Sequence, residues 1–453
     1  MPATHASPLA VAFLLAATAC AESADPVEVS LYSAADEVTY LDGEDGRVRV
    51  HYSDRGPNAI DQTDRHEDGV PDRALEGVYE VEQALSQYAY LGFAEPFSEA
   101  EAGREGAGGS AALDVYLANF PTEDWVEAVQ EACVGRRCSD SLRLQSDDDS
   151  SLESDIVHQV FHLVQDSYDA TEPAWLREGT ADFMSGSLDP QPYLDATDCG
   201  LAETETEGRC GDVAASTSLL WAYLDLEAQI SPDVLLRTIE ATASVDGVAA
   251  LEAGLRAEND TLARVWPLFA AQNLATGVRQ AEDGSGYAYN SSVTGITATG
   301  EGAAIHDTRT FAPLSARYYR VEHAGGELWL GLSGDGSPLR VSVHPVLNGA
   351  NDGPVGHAEF GAVPLPSERA FTFPSLDAGG VWLSVTHVDP DAESTTVTFC
   401  AGTEADATLC ETGAGCATGG GGSRPLGGIA ATLALLYRRR RIRNQNPGPP
   451  NTR

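Results

Sequence analysis

His158 and His162 stand four residues apart in Ser154-Asp155-Ile156-Val157-His158-Gln159-Val160-Phe161-His162-Leu163-Val164-Gln165. On a helix that spacing puts both imidazoles on one face, one turn apart. Two imidazoles so placed can reach a single zinc ion. The flanking Ile156, Val157, Val160, Phe161, Leu163 and Val164 make the helix buried and rigid. Histidines without partners would be costly to bury there. A second helix opens at Pro173-Ala174-Trp175-Leu176-Arg177-Glu178-Gly179-Thr180-Ala181-Asp182-Phe183, with Pro173 near its first turn. The stretch between leaves room for a loop and a return, so Glu178 could supply a third, anionic ligand. Asp182 lies one turn beyond Glu178 on the same face. A carboxylate there could accept the second N–H of a ligand imidazole and fix its tautomer. Two His and one Glu with an open fourth position is the ligand count of a catalytic rather than a structural zinc site. Two plainer alternatives stand beside it: a pair of core histidines, and a solvated acid favoured by the helix dipole.

Several elements must position these residues. Val27 to Tyr32 and Arg47 to Tyr52 alternate like half-buried strands. Asp72 to Leu91 carries apolar residues at helical spacing (Leu75, Val78, Tyr79, Val81, Leu85, Tyr88). Ala112 to Leu117 and Leu142 to Leu144 read as strands, and residues 151–280 as helical throughout. Residues 281–302, rich in Gly, Ser and Thr, read as a linker. Short alternating strands return over 303–402: Tyr318 to Val321, Leu328 to Leu332, Leu339 to Val343, Val381 to Thr386 and Thr395 to Phe399. They predict a small all-β sandwich.

The chain of 453 residues carries 69 acidic and 27 basic residues, a net charge of -42, and every basic residue is Arg. Such a surface repels phosphate backbones and anionic headgroups, which excludes nucleic-acid binding. It fits a well-solvated, salt-tolerant exterior. Leu9 to Ala19 is too short to span a bilayer and reads as the core of a signal peptide over 1–19, without the usual basic start. Ala17-Thr18-Ala19-Cys20 suits cleavage before Cys20 and also resembles a loose lipobox, in which Cys20 is lipidated. At the other end a Gly-rich spacer over 403–424 precedes a tail over 425–453, in which the apolar run Leu426 to Tyr437 meets Arg438-Arg439-Arg440-Arg441. That Arg block should stay cytoplasmic during export. The tail from Gly415-Cys416 onward resembles the myxobacterial C-terminal sorting signal, which implies processing at Cys416 and anchoring at the outer membrane or cell surface, or release from it. Contact with membrane is expected only through these processed termini. Six further cysteines fall in close pairs: Cys133 with Cys138, Cys199 with Cys210, Cys400 with Cys410. Pairs this local read as disulfides formed in an oxidising compartment, with a structural zinc site as the alternative.

His-x-x-x-His with a later Trp-Leu-x-Glu-Gly-Thr-Ala-Asp resembles the gluzincin zinc metallopeptidases, and more narrowly a group of secreted myxobacterial proteins assigned to that class. The likeness includes Val50-His51-Tyr52, Asp68-Gly69-Val70-Pro71-Asp72, Gly108-Gly109, Asp114-Val115-Tyr116-Leu117, Ala249-Ala250-Leu251 and Asn273-Leu274-Ala275-Thr276-Gly277, and so spans roughly residues 45–280. It implies an α+β fold: a zincin-like domain over 27–280, with a small mixed sheet and a helical metal-binding subdomain, ahead of the sandwich. It implies zinc on His158, His162 and Glu178, Asp182 behind them, and an edge strand lining a peptide substrate, matched by Ala112 to Leu117 or Leu142 to Leu144. The family's motif is His-Glu-x-x-His, in which the Glu is the general base. Here that position holds Gln159. An amide can hydrogen-bond a water but cannot accept its proton, and such help is worth roughly 10²- to 10⁴-fold in rate. The expectation is a zinc-loaded, exported relative of peptidases with little or no turnover, binding a peptide or protein. The alternative is an active zinc endopeptidase that recruits another base, for which Asp155, one turn before Gln159, is the nearest carboxylate. Tyr168 and Tyr223 stand as stabilisers of the transition state by residue type alone.

One weaker pattern remains. Asp64-x-His66-x-Asp68-Gly69-x-x-Asp72 resembles acidic calcium loops, with His66 at an oxygen-donor position and Leu75 at the twelfth. Calcium on Asp64, Asp68 and Asp72, or a solvated acidic turn, are the two readings. The sequons at Asn259 and Asn290 read as incidental.

Overall fold

The structure, a computed structural model, describes residues 31–103, 111–120, 126–146, 153–201, 203, 210–227, 230, 233–279, 293–323, 325–346, 363–364, 370–373 and 380–411. The signal peptide, Cys20, Asn290, most of the expected linker and the tail from Cys416 lie outside them. The chain is α+β, with helices, one mixed sheet and two mainly antiparallel sheets. It divides into two compact units, one ending at Ala170 and one beginning at Thr171.

The first unit holds β1 (Val38–Asp42), β2 (Val48–Ser53), α1 (Asp72–Leu91), β3 (Leu113–Ala118), β4 (Val126–Val134), β5 (Arg137–Gln145) and α2 (Glu153–Asp166). The strand order is β1-β2-β3-β5-β4. β1–β2 and β4–β5 pair antiparallel, while β2–β3 and β3–β5 pair parallel. A parallel step needs a crossover, and α1 lies in the one between β2 and β3. Val48, Val50, Val115, Leu117, Leu142 and Leu144 are buried in the sheet. The expected first strand is only partly described: Leu31 and Tyr32 form a bend, and β1 is the hairpin partner of β2. Tyr32 still serves the sheet, its hydroxyl donating to the carbonyls of His51 and Leu117.

The edge strand differs from the one expected. Both candidates are internal: β3 lies between β2 and β5, and β5 between β3 and β4. The edge strand beside them is β4, whose Val-Glu-Ala-Val-Gln-Glu-Ala-Cys-Val shows no sustained alternation. It is a strand because it pairs with β5 through a tight hairpin closed by Gly135, at φ +69°, and by the Cys133–Cys138 disulfide.

The second unit begins with helices: α3 (Ala174–Ser185), α4 (Gln191–Asp195), α5 (Ser218–Ala222), α6 (Val234–Thr242), α7 (Gly247–Ala257) and α8 (Leu262–Asn273). Pro173 forms the N-cap of α3 at φ -63° and Gly186 its left-handed C-cap. Gly179 is needed for packing. A Cβ there would lie 2.0 Å from Thr217 Oγ1 and 3.1 Å from the Ser218 nitrogen. Thr217 cannot easily give way, because its hydroxyl bonds the Trp175 carbonyl at 2.6 Å. Gly179→Ala is therefore expected to lower stability by about 1–3 kcal/mol through overpacking. A denaturant midpoint unchanged from the natural chain would contradict this.

Among the described residues nine strands follow: β6 (Gly300–Gly302), β7 (Ile305–Phe311), β8 (Ala316–Val321), β9 (Gly326–Ser333), β10 (Leu339–Pro345), β11 (Val363–Pro364), β12 (Ala370–Phe373), β13 (Val381–His387) and β14 (Thr395–Gly402). They form two sheets, β11-β10-β13-β8-β6 and β12-β9-β14-β7. Every strand expected here is present, and β6, β7, β11 and β12 are additional. Tyr319, Val341, Val343, Leu383 and Val385 of one sheet share an apolar core with Phe311, Leu328, Leu330, Val397 and Phe399 of the other. β13 is buried along its whole length because α8 covers its second face. There Tyr318 donates to the Ala270 carbonyl at 2.9 Å, and the Arg279 guanidinium stacks 4.6 Å from the Trp382 ring. A helix, α9 (Glu404–Glu411), follows β14 and is joined to it by Cys400–Cys410. All three expected disulfides are present, Cys199–Cys210 being the third. Among the described residues no helix is long and apolar enough to cross a membrane.

Candidate metal centre

α2 forms because its apolar residues recur at helical spacing. Ile156, Val160, Phe161, Leu163 and Val164 are all fully or nearly fully buried. Phe161 packs edge-on to Phe93 at 5.3 Å and tilted to Tyr88 at 5.1 Å, and Tyr88 donates to the Val157 carbonyl at 2.6 Å. Burial raises the Tyr88 phenol far above its usual range, so it stays a neutral donor.

This rigid helix brings the two imidazoles together as its periodicity requires. The rings of His158 and His162 meet edge to face, 4.6 Å between centroids, with 3.0 Å between their Nε2 atoms. Two ligands at 2.0–2.1 Å around a tetrahedral ion would lie about 3.3 Å apart. His162 is buried and His158 half-buried. Nδ1 of His162 lies 2.7 Å from Oε1 of Gln165, one turn further along α2. Gln165 was not singled out from the sequence. Its only signal there was its place three residues after His162, on the ligand face.

Gln159, at the expected base position, is half-buried and already engaged. Its Oε1 accepts the Ala128 main-chain N–H of edge strand β4 at 3.0 Å. Nearby, Gln130 Nε2 donates to Asp166 Oδ2 at 2.9 Å. Two side-chain bonds therefore tie α2 to the edge of the sheet. Asp155 is exposed in the first turn of α2. Tyr168 accepts the Ala94 N–H at 2.9 Å, and Tyr223 is buried against Phe269.

Glu178 and Asp182 are half-buried on α3. The Asp182 carbonyl accepts the Ser187 N–H and the Ser185 hydroxyl. Among the described residues, two groups of side chains could hold a metal ion. One is His158, His162 and Glu178, whose ligand atoms lie within 4.8 Å of one another. The other is all-carboxylate, Asp169, Glu172 and Asp246. In the second, Asp169 is paired with Arg136, and Glu172 accepts the Gly247 N–H at 2.9 Å. The first donor set, two imidazoles and one carboxylate, suits zinc. The second, all oxygen, suits a harder ion.

The expected calcium loop forms neither group. Asp64 accepts the N–H groups of Asp68 and Gly69, Asp68 that of Val70, and Asp72 that of Arg65. The carboxylates close the turn on its own backbone, with Glu67 at φ 53° and Gly69 at φ 86°. The first unit also holds a cavity of about 620 Å³ whose lining includes Tyr88, Phe97, Glu99, Asp114, Glu131 and Asp140. Burial, then a hydrogen bond with Glu99, pushes the Glu131 carboxyl up to about 8.

No family model matches the chain, and no curated protein matches it. Among solved structures, PliG from Aeromonas hydrophila, a periplasmic inhibitor of g-type lysozyme, is similar over 23% of this chain and 96% of its own. The identity is 11% and the TM-score 0.17. A likeness at that score carries no argument about this chain.

Proposed function

We propose that this chain is an exported zinc-binding protein with a zincin-like metal centre of the gluzincin type, impaired in peptidase chemistry by Gln159. One observation carries the metal assignment: the ligand atoms of His158, His162 and Glu178 converge within 4.8 Å. The order of elements supports the fold reading, with a mixed sheet, a buried helix bearing both histidines and a following helix bearing the glutamate. Three disulfides support export to an oxidising compartment. Attachment at the outer membrane or cell surface, through Cys20 or Cys416, belongs to the same proposal.

Bound there, zinc would supply Lewis acidity and bring the pKa of a coordinated water to about 7. The chain's own residues set how far that chemistry goes. His158, His162 and Glu178 would hold the ion, and Asp182 stands on α3 one turn from Glu178 to orient a ligand. Gln159 has no basic atom for a proton, and its oxygen accepts the Ala128 N–H. The centre would thus polarise a peptide carbonyl without the partner that moves the proton. A peptide or protein held but not cut is the function this arrangement serves. Measurement of bound metal tests the assignment: one zinc per natural chain is expected, with His162→Ala and Glu178→Ala carrying less. A natural chain that takes up no zinc would refute it.

A further inference from the structure

The His162 ring meets a side chain at each nitrogen: His158 Nε2 at 3.0 Å from its Nε2, and Gln165 Oε1 at 2.7 Å from its Nδ1. A carboxamide oxygen only accepts, so the hydrogen of the second contact sits on Nδ1. A neutral imidazole carries one ring hydrogen, and with it on Nδ1 the Nε2 atom presents a lone pair. That lone pair faces Nε2 of His158 at 3.0 Å, the other imidazole of the same ligand group. His162 and Gln165 are each only 4% exposed, so water competes weakly for either contact. All three residues ride on α2, and helix geometry alone keeps them in register.

We infer that Gln165 is the positioning residue of the metal centre: it holds His162 as the Nδ1–H tautomer, so that Nε2 always faces a divalent cation. The inference rests on the metal-binding reading above. The reverse tautomer would place a hydrogen on the ligating nitrogen and close that position. A neutral acceptor on the same helix thus orients His162, alongside the ligand-orienting role assigned to Asp182 on α3.

The test pairs two measurements on the full chain and its variants. Long-range proton–nitrogen spectra of the metal-free protein in mildly alkaline solution read the tautomer. Titration of zinc against a chromophoric chelator reads the affinity. The natural chain is expected to show His162 as Nδ1–H. Gln165→Ala is expected to weaken zinc binding about 10- to 100-fold and to move His162 toward the Nε2–H form. Gln165→Glu, whose oxygens also accept, should keep both the tautomer and the affinity. Gln165→Met, close in volume and a poor acceptor, should repeat the Ala result if Ala fails to fold. Unchanged affinity in Ala and Met, or an Nε2–H His162 in the natural chain, overturns the inference. A natural chain that binds no zinc overturns the metal reading instead, and the spectrum still decides the contact between His162 and Gln165.

Discussion

Gln159→Glu is expected to raise peptide-bond cleavage by about 10²- to 10⁴-fold over the natural chain, the worth of a well-placed general base. The substitution changes one terminal group and almost no volume, so packing around Val160 and Phe161 is retained. One carboxylate oxygen can keep the Ala128 N–H that Gln159 Oε1 now accepts at 3.0 Å. A carboxylate accepts such a bond at least as well as an amide. The second oxygen is left to receive a proton. Cleavage of an unstructured protein substrate, measured for both chains with and without a chelator, checks this. A Gln159→Glu variant that carries zinc and cuts no faster than the natural chain would sink the claim that the amide limits turnover.

The second large effect is on stability. A ligand that binds only the folded state stabilises it by about 2.7 kcal/mol at one hundred times its dissociation constant. For a unit of 150–250 residues that corresponds to a rise in Tm of roughly 5–10 °C. The natural chain should show a shift of that size between zinc-loaded and chelator-treated samples. His158→Ala should show almost none. His158 is the better ligand to remove for this purpose, because it is half-buried and leaves little cavity, whereas His162 lies in the core. A chelator-induced shift of equal size in His158→Ala would mean that the stabilising ion sits elsewhere. The all-carboxylate group of Asp169, Glu172 and Asp246 would then be the place to look.

Much of the candidate site was legible because its ligands obey short-range rules. His158 and His162 meet because a helix repeats every 3.6 residues, whatever the rest of the fold does. The disulfides could be paired because each joins cysteines at most eleven residues apart. β8, β9, β10, β13 and β14 announced themselves by apolar alternation, since one face of each lies in a shared core. The acidic turn at Asp64, with its carboxylates, was legible as a turn. In the folded chain those oxygens serve the loop's own N–H groups.

Local pattern by itself therefore determined the imidazole pair, the glutamate-bearing helix, the disulfides and most strands of the second unit. Folding alone decided three other matters, each depending on partners distant along the chain. β4 is the edge strand because β5 and α2 bind it, although its own residues show little strand pattern. β13 is buried on both faces because α8, more than a hundred residues earlier, lies across it. Gln159 closes a strand edge, although its place in the motif pointed only to chemistry. A hydrogen bond between remote segments leaves no periodic trace in either one, so only the assembled molecule reveals it.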